Sequence, residues 1–152
     1  MMVWGCITFF GPGDLSRITG TLNSDLYLDA LQEYVLSSFD WYNMNPATSS
    51  FQQDNSRVHT ANIVKEWFNK QEFTVLEWPF NSPDLNIIEH IWRYMKQRLG
   101  AYRQPPQNIA DLWERVQDIW TTIPLNFLQK LYESMPSRMD ALLRSRGGQI
   151  NY

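Results

Sequence analysis

Two stretches decide the reading of this chain: Phe51-Gln52-Gln53-Asp54-Asn55, and Trp78-Pro79-Phe80-Asn81-Ser82-Pro83-Asp84-Leu85-Asn86-Ile87-Ile88-Glu89. Asp54 closes a short β-prone run, and Glu89 stands one turn into a strongly helical segment. Between the two acids lie 34 residues. A strand-end carboxylate and a helix carboxylate that converge in space form a site for hard divalent cations, which take oxygen ligands. Two such ions about 4 Å apart clamp the entering and leaving oxygens of a phosphoryl transfer. Taken singly, each acid has a plainer reading. Asp54 is then a turn or cap residue and Glu89 a solvated helix residue. Asp84 and Asn86 read as caps of the turn before the helix and are not assigned as ligands.

Working outward, Met2 to Phe9 reads as a strand, Gly11-Pro12-Gly13 as a turn and Leu15 to Thr19 as a second strand, so the pair predicts a hairpin. Asn23 or Ser24 caps a helix whose apolar face is Tyr27, Ala30, Leu31, Tyr34 and Val35. Residues 40–50 read as a loop. Phe51 to Gln53 is a short strand into Asp54, and Thr60 to Asn69 a helix with Ile63, Val64, Trp67 and Phe68 inward. Thr74 to Trp78 is a strand. The Glu89 helix buries Ile88, Ile91, Trp92, Met95 and Leu99, with Gly100 as its C-cap. Glu89, Arg93 and Lys96 share another face, at spacings of four and three. Asn108 caps a helix with Ile109, Leu112, Trp113, Val116 and Trp120 inward. Pro124 and Pro136 open two more. Strands first and helices last suggest a mixed sheet with helices added behind it.

The 152 residues, 43% hydrophobic and 14% aromatic, suffice for one core. The lone Cys6 rules out an internal disulfide framework and suits a reducing compartment. No apolar run approaches the length of a membrane span or signal peptide. The net charge of −3 argues mildly against nucleic acid. Its distribution is uneven: residues 1–90 hold 4 Lys and Arg against 11 Asp and Glu, whereas 91–152 hold 9 against 5. An acidic part with metal carboxylates beside a basic helical part is compatible with phosphate binding.

Gln53-Asp54-Asn55, His59-Thr60-Ala61, Trp78-Pro79 and the run Ser82-Pro83-Asp84-Leu85-Asn86 leading to Ile88-Glu89 together resemble the Tc/mariner superfamily of DDE transposases. Glu rather than Asp at 89 points to the Tc-like branch. The resemblance covers nearly the whole chain. Met2-Val3-Trp4-Gly5-Cys6 resembles the strand after the family's first catalytic Asp. Ser134-Met135-Pro136-Ser137-Arg138 and the closing Gly147-Gly148-Gln149-Ile150-Asn151-Tyr152 resemble its C-terminus.

That resemblance implies an α/β, ribonuclease-H-like mixed sheet with helices, lacking the first strand, plus C-terminal helices. The whole of 1–152 is then one truncated catalytic domain, with a ribonuclease-H-like part over 1–100 and a helical part over 101–152. It implies Asp54 and Glu89 as catalytic and metal-holding residues for Mg²⁺ or Mn²⁺. The implied chemistry is DNA cleavage and strand transfer at transposon ends, in the nucleus, with room for a homodimer and no membrane partner. Asn55 and His59 match positions beside the metal site. Arg57, Arg93 and Lys96 are candidate DNA contacts. For His59 the alternative is a local hydrogen bond at a helix start; for the three basic residues it is a solvated face. Val58 and Ile87 stand where the family often has Pro, which loosens the pre-organisation of both acids.

The family's earlier Asp and its helix-turn-helix region are not matched. Asp14, Asp25, Asp29, Glu33 and Asp40 are the only acids before Asp54, and none lies in a β-prone apolar run. The expected sheet lacks its central strand, with Met2 to Phe9 and Phe51 to Gln53 flanking a gap or pairing directly. Asp54 and Glu89 are expected on the order of 4–8 Å apart. The chain is expected to be inactive by itself, whether as a fragment or as an incomplete copy of an active enzyme. A domesticated, non-enzymatic DNA- or protein-binding domain is the alternative.

Overall fold

The computed structural model describes residues 1–79 and 85–144. The Ser82-Pro83-Asp84 turn and the closing Gly147–Tyr152 motif lie outside the described residues. The chain divides into two compact units, Met1–Cys6 with Gly13–Asn81, and Ile7–Pro12 with Ser82–Tyr152.

β1 (Met2–Thr8) and β2 (Gly11–Ile18) form a two-stranded sheet. Only Phe9 and Phe10 join them, a link so short that the strands must run antiparallel. The turn therefore falls before Gly11-Pro12-Gly13, not on it as the sequence suggests. Thr8 is the cause. Its hydroxyl accepts from the N–H groups of Phe10 and Gly11, both at 3.1 Å, and donates to the Gly11 carbonyl at 3.0 Å. Pro12 then sits near the start of β2, where a missing N–H is tolerated.

Asn23 caps α1 (Ser24–Ala30), its side chain accepting from the Leu26 N–H at 2.9 Å. The helix does not stop before Asp40. It passes through a π-helical turn at Leu31–Val35 into α2 (Leu36–Trp41). Tyr27, Leu31, Val35 and Phe39 recur every four residues and are all buried. At 3.6 residues per turn that spacing drifts by about 40° per step. The wider π turn takes the drift back, so one stripe stays on the core.

β3 (Ser50–Phe51) pairs in parallel with β4 (Thr74–Val75), Ser50 opposite Thr74 and Phe51 opposite Val75. A parallel pair needs a crossover, and α3 (Asn62–Phe68) provides it. The ladder continues with Thr74 N–H to the Ser49 carbonyl at 3.1 Å and Leu76 N–H to the Phe51 carbonyl at 2.9 Å. β1 and β3 stand in separate two-stranded sheets among the described residues. The core of this unit is Tyr27, Leu31, Val35, Phe39, Val64, Trp67, Phe68 and Phe73. Ile63 is exposed, contrary to expectation: in the first turn of α3 it lies on the solvent side, while Val64 beside it is fully buried.

In the second unit α4 (Ile88–Gly100), α5 (Ile109–Thr121), α6 (Leu125–Glu133) and α7 (Met135–Arg144) follow in order. Ile91, Met95, Val116, Ile119, Trp120, Leu128 and Leu131 are buried. Trp92 stacks on Trp120, ring centres 5.6 Å apart. Gly100 is the last helical residue and Ala101 the cap, so the glycine does not serve as the expected C-cap. Ile109 is exposed in the first turn of α5 rather than buried. No described helix is long and apolar enough to cross a membrane.

Candidate active site

The loop after β3 is assembled by its own polar side chains. Gln53 donates from Nε2 to the His59 carbonyl at 3.3 Å. Only the amide nitrogen can donate, so Oε1 must face the other way. There it accepts from the Tyr27 hydroxyl at 2.5 Å. Asn55 donates to the Trp78 carbonyl at 2.6 Å, tying the loop to the segment after β4. Ser56 closes the turn, its carbonyl accepting from the Thr60 N–H at 3.0 Å.

Asp54 sits at the mouth of this loop with 51% of its side chain exposed. Its Oδ1 accepts from the Ser56 N–H at 2.9 Å, an Asx turn, and from His59 Nδ1 at 2.6 Å. Toward a carboxylate acceptor, Nδ1 must carry the proton, and such a charge-assisted bond is shorter and stronger than a neutral one. Asp54 Oδ2 makes no hydrogen bond among the described residues. The His59 ring, 19% exposed, lies against the Tyr27 ring with centres 4.2 Å apart and planes tilted by 32°. Burial pushes the Tyr27 phenol far above its usual range, and the negative charge of Asp54 adds to this. Tyr27 is 2% exposed and acts as a hydrogen-bond donor, not as an acid.

Glu89 is exposed in the first turn of α4, where a carboxylate is favoured by the positive end of the helix. Arg93 and Lys96 are exposed further along that helix, and neither side chain makes an ion pair or hydrogen bond among the described residues. Arg57 is likewise exposed. His90, next to Glu89, is anchored: its Nε2 lies 2.8 Å from Arg138 Nη1. Arginine can only donate, so His90 accepts at Nε2. Arg138, 4% exposed, also donates from Nε to Ser134 Oγ at 2.8 Å. The Ser134–Arg138 motif thereby fastens the start of α7 to the start of α4.

Of the residues singled out from the sequence, the structure brings Asp54 and His59 into direct contact and turns Asn55 toward backbone. Asp54 belongs to the first unit and Glu89 to the second. Tyr27 and Ser56 were missed. Tyr27 carries the ordinary signature of a core residue on a helix stripe; nothing in its spacing marks the hydroxyl. As a half-exposed carboxylate with one oxygen engaged, Asp54 fits a hard divalent cation. No group of three or more His, Cys, Asp or Glu stands together among the described residues.

Helices beside short parallel strands, with a carboxylate in the loop that follows a strand ending at Phe51 rather than at the expected Gln53, are the ribonuclease-H-like arrangement of a DDE catalytic domain. The comparisons agree. A family model described as DDE superfamily endonuclease matches residues 26–112, and the chain belongs to that family as a Tc/mariner-type transposase domain. The chain is 37% identical over 153 residues to the transposable element Tcb1 transposase of Caenorhabditis briggsae, covering 100% of this chain and 54% of that protein. It thus spans about half the length of that curated relative. The Mos1 transposase catalytic domain, solved with raltegravir and Mn, superposes with a TM-score of 0.86 at 18% identity, covering 98% of this chain and 76% of that one. A Mos1 transposase paired-end complex with the left transposon end gives a TM-score of 0.86 at 17% identity, covering 98% and 44%. The expected fold class is therefore correct.

Proposed function

We propose that this chain supplies two metal-holding carboxylates of a Tc-like DDE transposase, Asp54 and Glu89, for Mg²⁺- or Mn²⁺-dependent DNA cleavage and strand transfer in the nucleus. The observation that carries the reading is Asp54 itself: an acid in the loop after β3, inside the family match, with one oxygen fixed by His59 and the Ser56 N–H and the other without a hydrogen bond among the described residues. Bound divalent ions would polarise the scissile phosphate and lower the barrier to attack by a hydroxyl. His59 holds Asp54 in place. Arg57, Arg93 and Lys96 supply positive charge for the phosphate backbone. Convergence of Asp54 with Glu89, a ribonuclease-H-like part over 1–100 with a helical part over 101–152, and homodimer formation belong to the same proposal. Transposon-end DNA is the proposed partner, supported by the paired-end complex of Mos1.

These residues alone should not cleave DNA. Two divalent ions repel one another, and Asp54 and Glu89 bring two negative charges against four positive. The assay is metal-dependent cleavage of supercoiled and end-bearing DNA by the purified chain, beside Asp54→Ala and a Mn²⁺ titration followed by electron paramagnetic resonance. The expected result is weak binding of one ion, lost in Asp54→Asn and Glu89→Gln, and equal background cleavage in both proteins. Clear nicking abolished by Asp54→Ala would overturn the inactivity. Mn²⁺ binding indifferent to both acids would overturn the metal assignment and favour the non-enzymatic binding domain.

A further inference from the structure

The Tyr27 hydroxyl has no role in packing that phenylalanine could not fill, yet it is aimed at the loop that carries Asp54. Its ring lies against the His59 imidazole at a tilt of 32°, and its hydroxyl holds Gln53 by Oε1. That bond fixes which end of the Gln53 amide meets the His59 carbonyl. His59 is thus held twice from one buried residue, at its ring and through Gln53 at its backbone. We propose that Tyr27 is a positioning residue for Asp54, acting from the core through Gln53 and His59 to set the orientation of the carboxylate.

The physical case is one of rigidity. A carboxylate at a half-exposed loop rotates about two side-chain torsions unless something holds an oxygen. Here the holders are the Ser56 N–H and an imidazole, the latter itself supported by a side chain of α1 that is buried in the core. Groups behind a metal-holding residue set its orientation and basicity, and losing one typically costs 10–100-fold in metal affinity. Tyr27 stands one step further back, so its hydroxyl should fall at the low end of that range. The inference rests on the proposed metal role of Asp54, but its geometry can be tested separately.

The variants are Tyr27→Phe, which keeps the ring, and Gln53→Met, which cuts the same link from the loop side. Two readouts are taken on the full chain. One is the Mn²⁺ dissociation constant. The other is the His59 Nδ1–H resonance, assigned by His59→Gln and visible only while that proton is shielded by its bond to Asp54. The chain has two histidines, so the assignment is tractable. Both variants should weaken Mn²⁺ binding by about tenfold and lose or broaden the Nδ1–H signal, with the backbone amide spectrum otherwise unchanged. In a His59→Ala background, Tyr27→Phe should add nothing, because its path is already cut. Wild-type affinity and an intact Nδ1–H signal in Tyr27→Phe would overturn the inference, as would full additivity with His59→Ala. If Asp54→Asn leaves Mn²⁺ binding untouched, the metal reading fails alone. The Nδ1–H signal then decides: kept in Tyr27→Phe it refutes the positioning role, and lost it upholds it.

Discussion

Gly13 shows how closely single residues are fitted in the first unit. A β-carbon placed on it would lie 2.5 Å from Cys6 Sγ and 2.6 Å from Ser38 Oγ, and those two atoms already contact one another at 3.3 Å. Neither neighbour can retreat easily, since Ser38 also donates to the Tyr34 carbonyl at 2.7 Å. Gly13→Ala should therefore destabilise the chain by about 1–3 kcal/mol, the usual cost of overpacking, read as a lower urea midpoint at unchanged slope. Burial desolvates Cys6 and pushes its thiol up, against the lowering pull of the Ser38 hydrogen bond, so it should react slowly with thiol reagents. Val58 and Ile87 make a related point. Their lack of proline suggests loosened acids, but Val58 packs against the core of the first unit and Ile87 is buried. Each position trades a fixed backbone angle for apolar contact, and the loop at Asp54 recovers its rigidity from hydrogen bonds instead.

At the scale of elements, capping and charge placement define where helices begin. Asn108 accepts from the N–H groups of Ala110 and Asp111, both at 2.9 Å. Asp111 receives the Arg115 guanidinium at 2.7 and 2.9 Å and the Gln107 N–H at 2.8 Å. The Arg115 bonds, then the Gln107 bond, hold its carboxyl below the usual range. A carboxyl with a depressed folded value stabilises fully above its unfolded value, near pH 3.9, and loses that contribution as pH falls through the folded value. The stability gap between wild type and Asp111→Asn should thus be constant near neutrality and close below about pH 4, measured by urea unfolding at stepped pH. The caps at Asn23 and Asn108 were legible in the sequence because a polar residue before an apolar period has one economical use. The hairpin turn was not, since Gly-Pro-Gly is the louder signal and the Thr8 hydroxyl acts only in three dimensions. Nor was the π turn: apolar residues four apart suit a plain helix and an interrupted one equally. Of the site, Asp54 and His59 were legible from their motif, whereas the Tyr27 hydroxyl was hidden inside a helix stripe that had already explained it.

Across the whole molecule, charge is the property that bears on DNA. Residues 1–90 carry 4 basic and 11 acidic side chains, and 91–152 carry 9 and 5. A polyanion is attracted by the second set and repelled by the first. Under the proposed function, the two acids that most need to approach phosphate, Asp54 and Glu89, are themselves anionic and exposed. Divalent ions bound there would reverse the local sign, while monovalent salt would only screen. DNA affinity should therefore rise on adding millimolar Mg²⁺ at constant ionic strength, and the rise should shrink in Asp54→Asn and Glu89→Gln. Arg93→Gln and Lys96→Gln should instead weaken binding at every Mg²⁺ concentration, each lowering the slope of log affinity against log salt by about 1. Fluorescence anisotropy with a labelled duplex, titrated in matched Na⁺ and Mg²⁺ buffers, separates the two effects. An equal Mg²⁺ response in wild type and both acid variants would show that the carboxylates do not mediate the contact, and an unchanged salt slope would remove Arg93 and Lys96 from it. The acid pair and the basic pair are thus predicted to fail in different ways, which a generic electrostatic attraction would not produce.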